Sequence, residues 1–171
     1  MAPDVADFFY FVDITQNYPF TGTGNVFRFC QGLARIRIQN KILVLLDNDT
    51  AGHEIKDRIM KLDLPPEMRV ATLPDIKDAR RCTTLGPTGK KVEDVNGKTV
   101  SIEFFLDLSL KMNKPSVRWT SFNDSVGRYQ GELTDKERYI KAFHDRMWHS
   151  KGYDLSKLRN LWSYIIQSCT W

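Results

Sequence analysis

Cysteine is scarce in this chain. Cys30, Cys82 and Cys169 are far apart and odd in number. No CxxC pair and no Cys/His group has the spacing of a zinc site, and His53, His144 and His149 are scattered. Such usage fits a reducing compartment. Long apolar runs are also missing. The run Phe8-Phe9-Tyr10-Phe11-Val12 has no basic segment before it and is too short for a signal peptide or a membrane span. The sequence therefore reads as soluble and cytoplasmic, with no membrane partner. There is no low-complexity tract and no large charge excess, with 25 Lys and Arg against 21 Asp and Glu, a net +4. That balance suits a nucleic-acid partner without requiring one.

Apolar material is ample. The chain is 42% hydrophobic against 27% charged, enough for one ordinary domain with a core. Residues 7–14 are aromatic and β-branched and read as a buried strand. After Gly22-Thr23-Gly24, the residues Val26, Phe29, Cys30, Leu33 and Ile36 have helical spacing, with Asn25 as the expected N-cap. Lys41 to Leu46 is a continuous apolar strand, the kind covered on both faces in a parallel sheet. Thr50 to Leu62 is an amphipathic helix stopped by Pro65-Pro66, and Arg69 to Leu73 is a third strand. Strand and helix alternate, which predicts an α/β fold with a parallel sheet and flanking helices. Residues 74–99 are polar and read as a long loop, with a small hairpin at Asn96-Gly97. Ser101 to Leu110 is apolar again, and helices are expected over 134–149 and 154–168. The expected division is an α/β core over 1–110 and a helical extension over 111–171 packed on it.

The chemistry concentrates in Asp47-Asn48-Asp49, at the carboxyl end of an apolar strand, where open α/β sheets bind ligands. Side chains alternate along a strand, so the two carboxylates face one way if the chain stays extended. Paired carboxylates repel unless something positive lies between them. Hard oxygen donors favour magnesium or manganese. The plainer alternative is a helix cap, which accounts for one aspartate but not two. Gly52 allows a close backbone approach as the chain turns into the helix. Related motifs fit poorly. Haloacid-dehalogenase phosphatases use Asp-x-Asp-x-Thr, and Ala51 stands where the threonine belongs. An EF-hand needs an oxygen ligand at Ala51 and a glutamate at Arg58. The bare Asp-x-Asp of glycosyltransferases is too short to decide.

Val44-Leu45-Leu46-Asp47-Asn48-Asp49-Thr50-Ala51-Gly52 resembles the Asp-x-Asp-x-x-Gly signature of Toprim domains, found in topoisomerases, primases and nucleases of the OLD (overcoming lysogenization defect) family. Ser101-Ile102-Glu103 resembles the Ser-x-Glu element by which OLD nucleases hold a second metal. Tyr129-Gln130-Gly131-Glu132, with Lys136-Glu137-Arg138-Tyr139, looks like the C-terminal part of HEPN/Toprim-associated proteins. The resemblance implies a Toprim-like, Rossmann-like fold and hydrolysis of DNA or RNA phosphodiesters with two Mg2+ or Mn2+ ions, in a defence or DNA-processing complex. It implies Asp47 and Asp49 as ligands of the first ion and Glu103 with Ser101 at the second. Lys136 is the implied partner of the scissile phosphate. Toprim domains also carry a glutamate after a first strand that precedes the element matched by residues 7–14. Only six residues precede that element here, and none is Glu. A protein partner or an upstream segment is therefore expected to supply it. The alternative is a Toprim-like module that binds protein or DNA without cleaving.

Overall fold

A computed structural model of the chain describes residues 8–12, 22–109, 114–124, 127–145, 149 and 152–170. The first helix among the described residues, α1 (Thr23–Arg35), begins one turn earlier than Asn25 because Gly22 adopts φ 92° and serves as the cap. The apolar run Ile42–Leu46 forms β1 and pairs in parallel with β3 (Met68–Thr72), in register from Ile42↔Met68 to Leu46↔Thr72. Between them lie the short strand β2 (Asn48–Asp49) and α2 (Thr50–Ile59), which stops before the expected Leu62. Both helices bury their apolar stripes against this pair. Cys30, Ile55 and Ile59 meet Leu46 and Met68 in one core, with Val26, Leu33, Val44 and Val70 packed around it. Leu46 alone in β1 is buried, while Ile42 to Leu45 are half-buried.

The stretch expected to be a polar loop is structured. Residues 74–99 hold a 3₁₀ helix (Lys77–Arg81) and strands β4 (Cys82–Gly86) and β5 (Gly89–Glu93), and the two-residue strand β6 (Thr99–Val100) begins at their end. Its core residues are isolated in the sequence, namely Ile76, Ala79, Cys82 and Val95, so no periodic run marked them. The hairpin turn lies at Pro87-Thr88, between Gly86 and Gly89, not at Asn96-Gly97. Asn96-Gly97 instead leads into β6, with the Asn96 side chain bonded to both the N–H and the carbonyl of Ile76. β7 (Ser116–Asn123) runs parallel to β4, and β8 (Arg128–Leu133) antiparallel to β7, giving the order β5-β4-β7-β8.

The expected single parallel sheet is thus replaced by a parallel pair, an antiparallel pair β2–β6 and a mixed four-stranded sheet. Short connections such as Pro87-Thr88 join only antiparallel strands, and that forces the mixture. The C-terminal portion is not purely helical either. It contributes β7 and β8 before α3 (Lys136–His144) and α4 (Ser156–Ser168). Phe104, Phe105, Val117, Leu133, Tyr139 and Leu161 bind these elements into the larger core. The fold is mixed α/β with small sheets and four helices among the described residues.

The strand expected at 7–14 is not formed where it is described. Phe8 lies in a turn and residues 9–12 are irregular, while residues 7, 13 and 14 lie outside the described residues. Phe9 and Phe11 rest on Trp162 of α4 instead. Met147, Trp148 and Trp171 also lie outside the described residues. Among the described residues, no helix is long and apolar enough to cross a membrane.

Candidate carboxylate site

β1 ends at Leu46, and the next residue, Asp47, is not itself in a strand. Asn48 and Asp49 then pair with Val100 and Thr99 of β6. That pairing decides the site, because Ser101 and Glu103 leave β6 directly. Two segments some fifty residues apart in sequence therefore end side by side. Asp47 is exposed by surface area, yet protein packed around its carboxyl strips away much of its water. This desolvation, then the charges of Asp49 and Glu103, push the Asp47 carboxyl up to about 6. The Ile102 N–H and the Lys136 ammonium act in the opposite direction. Three other residues singled out in the sequence, Asp49, Glu103 and Lys136, therefore act electrostatically on Asp47.

Each is held by local structure. Asp49 is the N-cap of α2, with Oδ1 accepting the Gly52 N–H at 2.6 Å. Asp49 takes the capping role, and its charge also acts on Asp47. Its other oxygen, Oδ2, accepts Gln130 Nε2 at 2.6 Å, while Gln130 Oε1 accepts the Ala51 N–H at 3.2 Å. Thr50 donates to the Tyr129 carbonyl at 2.8 Å, so the start of α2 is bolted to β8. Ser101 donates to Glu103 Oε2 at 2.5 Å, fixing that carboxylate rather than standing free. Lys136 is the first residue of α3, after Asp135 in the left-handed region at φ 55°. A cation there opposes the helix dipole, and the nearby carboxylates offset this.

Asn48 faces away from this site and is buried. It donates Nδ2 to Asp75 Oδ1 at 2.8 Å, so its Oδ1 is left to accept from His53 Nε2 at 2.7 Å. His53 is thereby tied to the strand.

The donor chemistry suits a hard divalent cation, since carboxylates crowd one another with one nearby ammonium. Among the described residues, no three His, Cys, Asp or Glu side chains are already gathered as a metal-binding group. Gln130 is the residue that sequence reasoning passed over. Its only sequence signal is its place in Tyr129-Gln130-Gly131-Glu132. Replacing Gln130 with alanine frees Asp49 Oδ2 and the Ala51 N–H together, and the expected cost is about 1–2 kcal/mol in urea unfolding. Gln130→Glu is expected to be worse than alanine, because it sets another carboxylate against Asp49; equal midpoints for both variants and the parent would exclude the role. Comparisons with protein-family models, with curated proteins and with solved structures give no match for this chain.

Proposed function

We propose that this chain carries a Toprim-like, OLD-type site and hydrolyses nucleic-acid phosphodiesters with Mg2+ or Mn2+. The reading is supported above all by one juxtaposition. The β2–β6 pairing sets Asp47 and Asp49 beside Ser101-Ile102-Glu103, with Lys136 in electrostatic reach of Asp47. Asp47, Asp49 and Glu103 would hold the ions, and a glutamate from a partner or an upstream segment would complete the set. Bound there, such ions would activate water and polarise phosphoryl oxygens. Gln130 keeps the Asp49 carboxylate turned toward β8, and Ser101 orients Glu103. Lys136 would neutralise charge gathering on the phosphate as the bond breaks.

A second reading, a Toprim-like module that binds without cleaving, draws on Asp49. Both of its oxygens already accept hydrogen bonds from Gly52 and Gln130. Nicking of supercoiled plasmid in Mg2+ or Mn2+ separates the two. Cleavage is expected once the partner or upstream segment that brings the missing glutamate is present, with Asp47→Asn and Glu103→Gln each slowing it by about 100-fold. Cleavage that survives the double change Asp47→Ala, Asp49→Ala sinks the hydrolytic reading. Metal-dependent binding of the plasmid without nicking supports the second.

A further inference from the structure

Three aromatic rings share one face of the β7–β8 hairpin. Trp119 and Phe122 are three residues apart and would face opposite sides of an unbroken strand. The register shifts between Trp119 and Ser121, so that Trp119 pairs with Gly131, Ser121 with Gln130, and Phe122 with Tyr129. This bulge turns both rings to the same side, a device that recurs beside functional sites. Tyr129 sits between them, its ring centre 5.7 Å from Trp119 and 4.9 Å from Phe122. Glycines hold Trp119 in place. A Cβ at Gly86 would meet it at 3.0 Å and one at Gly131 at 2.9 Å. Phe122 and Tyr129 each leave 49% of their surface open, which spends apolar area on solvent that burial would have made stabilising.

These rings line a cleft of about 400 Å3, within the range of ligand sites. Lys91, Lys98 and Arg128 stand around it. The acid on its wall, Glu93, is occupied by the Thr84 hydroxyl at 2.6 Å, and Lys98 donates to the Asp94 carbonyl at 3.0 Å. The cleft also adjoins the carboxylates. Lys98 forms a backbone bridge with Asp49, the Tyr129 carbonyl accepts from Thr50, and the next residue, Gln130, holds Asp49.

We propose that this cleft binds a single-stranded polynucleotide. Bases would stack on Phe122 and Tyr129, phosphates would lie against Lys91, Lys98 and Arg128, and the strand would continue toward Asp47 and Asp49. Tilted, open rings with cations at their rim suit unpaired bases, whose faces a duplex hides. Only the direction of the strand rests on the phosphodiesterase reading; the binding does not.

The test is fluorescence anisotropy in EDTA with labelled dT and U oligomers of about twelve nucleotides, long enough for such a site. A duplex of the same length and a polyglutamate peptide complete the set. At least one single strand is expected to bind more tightly than the duplex, and the dT and U arms tell DNA from RNA. Phe122→Ala and Tyr129→Ala are expected to weaken binding about 10-fold, while Tyr129→Phe keeps it, all with unchanged melting. Arg128→Ala is expected to flatten the log–log salt slope by about 0.7. Binding of neither strand, equal binding of the duplex, parent-like affinity of both alanine variants, or full competition by polyglutamate each overturns the proposal. With metal and the glutamate-bearing partner or upstream segment supplied, binding without cleavage counts against the nuclease reading alone. Cleavage without loss of affinity in the alanine variants counts against the cleft alone.

Discussion

Replacing Gly52 with alanine is expected to lower the unfolding free energy by at least about 3 kcal/mol, among the larger effects a single methyl can have. The added Cβ would stand 2.0 Å from the backbone carbonyl oxygen of Asp47, 3.0 Å from its carbonyl carbon and 3.1 Å from Asp49 Oδ1. Alanine has no χ angle to rotate, and the nearest obstacle is backbone, so only the chain itself can move. That chain is the turn between β1 and β2, fixed by Leu46↔Thr72 on one side and Asn48↔Val100 on the other. Pushing Asp47 outward also strains the Gly52 N–H bond to Asp49. The control is the same methyl elsewhere. Gly24 and Gly32 lie in α1 with nothing within 4 Å of an added Cβ. Gly32→Ala is expected to raise stability by about 0.5–1 kcal/mol, the ordinary helix preference for alanine. Urea midpoints for Gly52→Ala and Gly32→Ala that shift in the same direction would refute the steric account.

That glycine shows what was legible in the sequence. Asp47, Asp49 and Gly52 form a local pattern at the end of one apolar run. Ser101, Glu103 and Lys136 carried a weaker signal, yet β2–β6 pairing and the start of α3 bring them to the same place. Gln130 was not legible as a partner because its bond to Asp49 spans 81 residues and depends on how β8 lies against α2. The bulge that aligns Trp119 with Phe122 has no composition of its own, so nothing in the sequence marks the two rings as neighbours. Residues 74–99 were misread for a related reason. Strands β4 and β5 carry five lysines, threonines and glutamates among few apolar residues, and β5 is an edge whose outer side faces water. Periodicity reports burial on one face, and an edge strand with little buried surface gives it little to report. The N-terminal aromatic run failed in the opposite sense. Its composition suits a strand, but Phe8, Tyr10 and Phe11 are exposed over the described stretch, and Phe9 and Phe11 use their rings on Trp162.

Asp107→Asn is expected to cost about 2–4 kcal/mol at neutral pH, through buried donors left without an acceptor. Asp107 is buried, and its carboxylate gathers three donors. Oδ1 accepts the Ser109 N–H at 2.9 Å and the Ser109 hydroxyl at 2.6 Å, and Oδ2 accepts the Asp154 N–H at 3.0 Å. An asparagine of the same shape turns one of those oxygens into an NH2 facing an N–H. The backbone N–H of Asp107 in turn donates to the Tyr153 hydroxyl at 3.2 Å, so this one residue seats the start of α4 beside Phe104 and Phe105. The pH dependence has a definite sign. Burial raises the Asp107 carboxyl, but the hydrogen bonds from Asp154 and Ser109, with the Lys157 charge, outweigh it and hold the group below the ordinary carboxylate value. A group depressed on folding contributes fully above its unfolded pKa of about 3.9 and loses that contribution as pH falls through the lower folded value. The gap in urea midpoint between the parent chain and Asp107→Asn should therefore be widest near neutrality and begin to narrow below about pH 4. Equal midpoints at neutral pH, or a gap that widens on acidification, would mean that α4 is seated by its own Leu158 and Leu161 in the core with Phe104 and Phe105, and not by this carboxylate.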